Sequence, residues 1–116
     1  RALQRTLADE NGRWILGEHQ DAACEWPLTL HTDANRHYVI DRTFIDREDT
    51  RWIVDYKTGD HLDGDREDFL DQEQERYREQ LETYAHILRQ LEDRPIRLAL
   101  YFPLFADWRV WDYREV

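Results

Sequence analysis

The stretch Arg51-Trp-Ile-Val-Asp-Tyr-Lys-Thr-Gly59 decides how the rest of the chain is interpreted. An apolar run of β-forming residues is followed by Thr58-Gly59-Asp60, so we predict a buried central strand that stops at a turn. Side chains alternate along a strand, so Asp55 and Lys57 share one face and Tyr56 lies on the other. A carboxylate and an ammonium at the end of an apolar strand are costly unless they are paired or used in chemistry.

Lys57 is the only lysine in the sequence, against 15 arginines. Lysine carries a compact ammonium that can lose its proton, whereas arginine carries a planar and permanently charged group. The choice of lysine at this one position indicates a chemical requirement for it.

The totals describe one folded domain. A chain of 116 residues with 41% apolar residues can bury a modest core, and no apolar run approaches the roughly 18 residues of a membrane span. A lone cysteine, Cys24, excludes an internal disulfide and a cysteine-based zinc site, which fits a reducing cytoplasm. Because the sequence has no methionine and begins with Arg1, we expect a domain from a longer polypeptide.

The net charge of −10 argues against an independent nucleic-acid binder, because affinity for phosphates comes mainly from lysine and arginine. It argues less against a metal-dependent enzyme, whose carboxylates are offset by bound cations. Much of the negative charge lies in residues 60–79, where nine acids stand against three arginines. We interpret most of this segment as the solvated face of a helix.

The order of predicted elements is helix, three strands, helix, two strands. It indicates an α/β sandwich around a mixed sheet, with an antiparallel meander and a strand that returns parallel through a right-handed crossover. The first predicted segments are a helix over 1–9, ended by Asn11-Gly12, and a short strand or turn over 13–16. Three strands follow over 23–31, 37–46 and 51–57, and Pro27 favours an edge position for the first of them. The last segments are a helix from Phe69 to before Pro95 and a hairpin of 96–102 with 108–113.

The hairpin between the second and third strands aligns two carboxylates. A turn over Asp46 to Arg51 pairs residues whose numbers sum to about 96 to 98, which places Asp41 across from Asp55 or Lys57 with Cβ atoms about 5 Å apart. In the second strand, alternation puts one set on one face (Tyr38, Ile40 and Phe44) and another on the opposite face (Val39, Asp41, Thr43 and Ile45).

The long predicted helix has an apolar stripe with a polar group beside it. Gln80 lies one turn before Tyr84, so both side chains can face the same way. The stripe has steps of four and three residues: Tyr77, Leu81, Tyr84, Leu88 and Leu91.

Two converging carboxylates with a lysine two residues beyond the second suit a hard divalent cation such as Mg²⁺. Lys57 would then serve as general base, as orienting group or as electrostatic stabiliser, and the sequence does not choose among the three. The structural alternative is an ion pair of Asp55 with Lys57 at a strand end and a solvated Asp41.

Three motifs together resemble the RecB/AddA-type branch of the PD-(D/E)XK nuclease superfamily. They are Ile40-Asp41-Arg42, then Trp52-Ile-Val-Asp55-Tyr-Lys57-Thr-Gly59, then Tyr77-x-x-Gln80-Leu81-x-x-Tyr84-Ala85. The resemblance covers about residues 23–105 and implies the restriction-endonuclease-like fold. It also implies a Mg²⁺-dependent deoxyribonuclease, with Mn²⁺ as a substitute, at the C-terminal end of a UvrD-like helicase/exonuclease of the exonuclease V beta type.

The resemblance also implies roles for particular residues. Asp41 and Asp55 would hold the metal with the backbone carbonyl of Tyr56, and Lys57 would be the catalytic lysine. Gln80 and Tyr84 would contact the phosphate or the lysine. The implied partners are single-stranded DNA ends delivered by a helicase motor during break repair and recombination, the rest of the parent polypeptide and a partner nuclease subunit, with no membrane.

The chain departs from the family pattern at two points. Val39 stands where the family usually has a glycine. The family's upstream helix carries a metal-binding histidine or glutamate. None of His19, His31 and His37 matches it, so we expect that ligand in a preceding segment. Glu25 matches a common family acid, for which we expect a structural role.

Two other functions stay open. One is a nuclease-like module that no longer cuts and instead docks a partner or guides DNA, although such modules usually lose the aspartate or the lysine that this chain keeps. The other is an acidic interaction domain in which residues 60–79 bind a basic partner. The latter predicts that neutralising Asp55 is harmless.

Overall fold

A computed structural model describes residues 9–30, 36–57 and 65–114. The elements in chain order are α1 (Glu10–Leu16), β1 (Gln20–Leu30), β2 (Arg36–Ile45), β3 (Arg51–Tyr56), α2 (Arg66–Arg89), β4 (Ile96–Phe102) and β5 (Asp107–Asp112). Neither helix in these ranges is long and apolar enough to cross a membrane.

The five strands form one mixed sheet in the order β1-β2-β3-β4-β5. The first three strands form an antiparallel meander, β4 returns parallel to β3 after α2, and β5 closes an antiparallel hairpin with β4. The predicted α/β architecture is confirmed. Pro27 lies on the edge strand β1, where its missing N–H breaks no pairing with a further strand.

Helices cover both faces of the sheet and bury two apolar clusters. Leu81, Ala85 and Leu88 of α2 pack with Ile53 and Leu98 on one face. On the other face, Ile15 of α1 packs with a smaller and mostly aromatic cluster: Phe44, Trp52, Val54, Ala99 and Tyr101. β3 is therefore buried on both sides, as its continuous apolar sequence predicts.

A buried cation fixes the beginning of β3. Arg51 is 1% exposed, and its guanidinium lies 2.6 Å from Asp21 Oδ2 and 2.7 Å from Glu92 Oε1. The guanidinium carbon is also 5.5 Å from the centre of the Trp26 ring. These contacts join β3 to β1 and to the segment after α2. They lie at the beginning of β3, whereas Asp55 lies near its end.

The first helix differs from its prediction. Residues 1–8 lie outside the described residues, and Asn11-Gly12 lies inside α1 instead of ending a helix. Asp9 starts α1 as its N-cap, because its Oδ2 accepts a hydrogen bond from the N–H of Gly12 at 3.0 Å. The apolar piece 13–16 is consequently the last turn of this helix.

The predicted alternation of β2 is wrong at one point. Ile40 packs beneath α2, whereas Phe44 packs beneath α1, although both have even numbers. The change occurs opposite Glu25, which lies between the pairs Cys24–Arg42 and Trp26–Ile40 and has a φ of 49°. The pair Glu25–Asp41 is missing from the β1–β2 register, so the regular ladder is interrupted at the point where the β2 side chains change face.

The second helix ends earlier than its stripe suggests. Leu81, Tyr84 and Leu88 are buried as predicted, but Leu91 follows the end of α2 and is 70% exposed. The acids of α2 lie mostly on its exposed face, in agreement with the interpretation as a solvated face (Glu67, Asp68, Asp71, Glu75 and Glu79).

Candidate active site

A short turn sets the register that brings the two carboxylates together. Asp46 Oδ1 accepts the N–H groups of Glu48 at 2.8 Å and Thr50 at 3.0 Å, and its Oδ2 accepts the indole N–H of Trp52 at 2.8 Å. All the oxygen atoms of this side chain are therefore engaged in holding the turn between β2 and β3.

The resulting register places Asp41 opposite Asp55. Arg42 pairs with Val54. Asp41, which precedes Arg42, therefore lies across from Asp55, which follows Val54. The N–H of Tyr56 donates to Asp41 Oδ2 at 2.8 Å, which holds this carboxylate against the end of β3. Paired residue numbers sum to 96, which lies within the range of 96 to 98 predicted from the hairpin.

The second carboxylate, that of Asp55, is buried, and its pKa is raised. Burial is the largest cause, a hydrogen bond shared with the Asp41 carboxyl adds to it, and Lys57 opposes both, so the pKa of Asp55 rises from 3.8 to about 7. The side chain is 11% exposed. One ammonium is thus insufficient to stabilise two carboxylates in this position.

Lys57 completes the centre. Its Nζ lies 2.7 Å from Asp55 Oδ2 as an ion pair, although no described group makes a well-aligned hydrogen bond to that oxygen. The same Nζ lies 3.6 Å from the centre of the Tyr77 ring on α2. The Lys57 side chain is 20% exposed and that of Asp55 is 11% exposed, so the lysine is the more accessible of the two.

The helix α2 brings two further predicted residues to this centre. Tyr84 is 4% exposed, and its hydroxyl lies 2.6 Å from Gln80 Nε2. Burial raises the pKa of Tyr84, the charges of Asp55 and Asp41 raise it further, and the Gln80 hydrogen bond opposes them. Tyr84 therefore lies within the field of both carboxylates, and Gln80 joins the group through Tyr84.

The Tyr56 side chain lies on the opposite face, as alternation predicts. Its ring centre is 6.4 Å from that of Tyr101, and burial raises the pKa of its hydroxyl to about 12. This hydroxyl is buried and has no hydrogen-bond partner among the residues described. Only the backbone of Tyr56 faces the carboxylates.

Arg42 supports the centre from the α1 face, a role that the sequence analysis missed. Its guanidinium donates to the carbonyls of Ile15 at 3.0 Å and Gly17 at 2.9 Å, and to Cys24 Sγ at 3.3 Å. These bonds satisfy carbonyls at the end of α1 and fix β2 immediately beside Asp41. The available signal was an arginine within an apolar strand, next to a predicted metal ligand.

The remaining candidate acid, Glu25, lies across the β1–β2 ladder from Asp41. Glu25 is exposed, and His19 stacks on Phe44 at 4.1 Å between ring centres on the α1 face. His31 lies outside the described residues. Across the described ranges, no group of three or more histidines, cysteines or acids is placed to hold a metal ion.

The two carboxylates nevertheless fit a hard cation. Asp55 Oδ2 is buried without an aligned donor, and its neighbour is a second carboxylate, so a divalent ion would supply the charge that Lys57 alone does not. Mg²⁺ needs only one or two protein carboxylates, since waters and substrate oxygens complete its coordination. A third acid is therefore not required.

A mixed sheet between helices, with two carboxylates and a lysine at the end of its central strand, is the arrangement of a nuclease-like domain. A family model of the PD-(D/E)XK nuclease superfamily matches residues 4–111, and the chain belongs to this superfamily. The chain has no match among curated proteins.

Proposed function

We propose that this chain is a Mg²⁺-dependent deoxyribonuclease domain that hydrolyses phosphodiester bonds. The observation that supports it most strongly is the contact of Asp41, Asp55 and Lys57 at the end of β3, in a member of the superfamily. Asp41 and Asp55 would hold the ion with the backbone carbonyl of Tyr56, and Mn²⁺ would substitute. When bound, such an ion acidifies a water and offsets charge on the phosphate.

The chain's own groups contribute position and charge. The Tyr56 N–H keeps one oxygen of Asp41 in place and leaves the other available. The Lys57 amino group lies 2.7 Å from Asp55 Oδ2, where it can donate to a phosphate oxygen as an ammonium or accept the proton of an attacking water when neutral. The Gln80–Tyr84 pair would orient the phosphate or the lysine from α2.

The biological setting is proposed on the motif resemblance. We place the domain in the RecB/AddA-type branch, joined to an ATP-dependent helicase that delivers single-stranded DNA ends during break repair and recombination in a bacterial cytoplasm. The net charge of −10 supports delivery by another part of such an assembly, because the domain itself offers little attraction for DNA.

One observation favours a second candidate, a nuclease-like module that docks a partner or guides DNA without cutting it. The two carboxylates have no third histidine, cysteine or acid beside them within the described part of the chain. If the reaction needs a third protein ligand, the two carboxylates alone would bind the metal too weakly to support cleavage.

Calorimetric titration with Mn²⁺ separates the two candidates. Saturable binding by the wild type that is lost in Asp55→Asn, together with Mn²⁺-dependent cleavage of single-stranded DNA, is the expected result. Asp93→Asn is a matched control, because the Asp93 side chain is 100% exposed and far along the chain from the carboxylates. Equal weak binding by wild type and Asp55→Asn, with no cleavage, would favour the docking module.

A further inference from the structure

The ammonium of Lys57 is held between two elements of the fold. From β3, Asp55 Oδ2 lies 2.7 Å from Nζ, and from α2, the Tyr77 ring centre lies 3.6 Å from the same atom. The Lys57 backbone is fixed independently, because its N–H donates to the carbonyl of Tyr101 at 2.9 Å. The position of the ammonium consequently depends on the contacts of the side chain itself, with Asp55 and with Tyr77.

The contact with Asp55 alone does not define that position. A lysine side chain has four rotatable bonds, and its ammonium is a point charge without a preferred plane. The ion pair also lacks the alignment of a hydrogen bond. A cation over the face of an aromatic ring gains about 0.5 to 2 kcal/mol, increasing as the pair is desolvated, and this supplies a second direction of attraction.

The Tyr77 ring is itself held in place by the core. Tyr77 is half-buried and packs against the cluster beneath α2. It lies seven residues before Tyr84, which puts both side chains on the same face of the helix, two turns apart. The guanidinium of Arg76 lies farther from the ring, at 5.2 Å, and its side chain is 70% exposed.

We propose that Tyr77 positions the ammonium of Lys57 through a cation–π contact, and that this contact tunes catalysis at the Asp41–Asp55 centre. The second part rests on the proposed nuclease function, and the first part does not. Because the attraction comes from the face of the ring, phenylalanine at position 77 should preserve it and leucine should remove it. The structure thus assigns to α2 a third residue that acts on the site, one helical turn before Gln80.

The contact can be measured without activity, because Lys57 is the only lysine in the sequence. Protein labelled with ¹³C-lysine gives one lysine side-chain signal, and protons over a ring face are shifted upfield. We expect an upfield-shifted Hε signal in the wild type and in Tyr77→Phe, and a signal near that of free lysine in Tyr77→Leu. An unchanged signal in Tyr77→Leu would overturn the proposal.

An isosteric replacement guards against a loss of folding in Tyr77→Leu. Pentafluorophenylalanine at position 77 keeps the shape of the ring and removes its negative face. Compared with Tyr77→Phe, it should displace the Lys57 signal while the thermal midpoint stays the same. Identical lysine signals in these two proteins would show that packing, and not charge attraction, places the side chain.

Kinetics test the consequence for the reaction. For Tyr77→Leu we expect kcat for DNA cleavage to fall about 2- to 30-fold with little change in KM, and for Tyr77→Phe we expect kcat near the wild-type value. In a Lys57→Ala background, Tyr77→Leu should have no further effect. Wild-type kcat in Tyr77→Leu would contradict the positioning role.

Trp111→Leu provides the matched control. Trp111 packs partly buried against the same cluster, and its ring also carries a cation, the guanidinium of Arg78 on α2 at 5.2 Å. Its replacement should lower stability without moving the Lys57 signal or kcat. If the wild type does not cleave, the nuclease function and the kinetic part of this inference both fail, whereas the lysine signal still decides whether the contact exists.

Discussion

The backbone N–H of Tyr56 donates to Asp41 Oδ2 at 2.8 Å. Tyr56 follows Asp55 in the chain, so this bond holds one candidate metal ligand, Asp41, beside the second, Asp55. The bond crosses from β3 to β2 beyond their last ladder pair, Arg42 with Val54. It keeps the two carboxylates together although their charges repel, and Asp55 responds with a raised pKa. The tests below follow from this enforced proximity.

Removing the buried carboxylate should stabilise the metal-free protein at neutral and higher pH. The pKa of Asp55 in the folded protein is about 7, above its ordinary 3.8, so the folded state binds this proton more tightly than the unfolded state. The free energy of unfolding of the wild type should therefore fall as pH rises from about 4 to about 7 and stay low above it. Asp55→Asn should lose this dependence and exceed the wild type at pH 8 by on the order of 1–3 kcal/mol.

Urea unfolding in EDTA at pH 4.5 and at pH 8 measures this difference. Asp93→Asn, at a fully exposed position, should follow the wild type at both values. A wild type that is equally stable at both pH values would be inconsistent with a buried carboxylate that resists ionisation.

Divalent cations should make the wild type more stable than Asp55→Asn, which reverses the order expected without metal. A ligand that binds only the folded protein adds about 2.7 kcal/mol at a concentration of 100 times its Kd. Mn²⁺ should therefore raise the Tm of the wild type and leave Asp41→Asn and Asp55→Asn unchanged. A thermal shift assay with and without EDTA reads this directly, and an equal rise in all three proteins would place the ion elsewhere.

Replacing Arg42 should destabilise the fold and weaken the site together. Arg42→Met keeps the length of the side chain but leaves the carbonyls of Ile15 and Gly17 without their donors. Buried groups left without partners cost about 1–3 kcal/mol each, so we expect a loss of roughly 2–4 kcal/mol by urea unfolding. Arg47, which is exposed in the turn, is the comparison, and Arg47→Met should change stability by less than about 0.5 kcal/mol.

If Arg42 acts only on stability, Mn²⁺ affinity at a temperature where the variant is folded will equal that of the wild type. We expect weaker affinity, because the guanidinium fixes the residue next to Asp41. An unchanged midpoint of unfolding would show that α1 keeps its place without these bonds.

The Gln80–Tyr84 pair should act as one unit. Tyr84→Phe removes the hydroxyl that lies 2.6 Å from Gln80 Nε2 while the ring still fills its buried position. We expect kcat/KM for DNA cleavage to fall about 10-fold, equivalent to one lost hydrogen bond of about 1.4 kcal/mol. Gln80→Leu should cost a similar factor, and the double variant little more than either one. Fully multiplicative losses would show that the two side chains act separately.

Local sequence patterns predict the central part of the fold well. The apolar run before Asp55, the bounds of β4 and the stripe through Leu81 and Leu88 each follow from short-range periodicity. Hairpin arithmetic then gives the register, since one polar turn allows few alternatives. These two steps place Asp41 across from Asp55 or Lys57, and the structure has the register with Asp55.

Features that depend on distant side chains could not be predicted in this way. The changed face of Ile40 coincides with a left-handed residue, Glu25, in a different strand. The contact of Lys57 with Tyr77 depends on the rotamer of a long side chain 20 positions away from its partner. Periodicity contains no information on either a backbone break in a neighbouring strand or a rotamer.

The buried Arg51 has a consequence for how the chain finds its native pairing. A shift of β3 by one residue would turn this guanidinium towards the α1 face and separate it from Asp21 and Glu92. The same shift would turn Asp55 away from Asp41, about 13 Å farther along the strand. A misaligned pairing is therefore penalised, because the buried guanidinium of Arg51 would lose both of its carboxylate partners. Folding therefore favours the alignment of Asp41 with Asp55 before any substrate or metal is present.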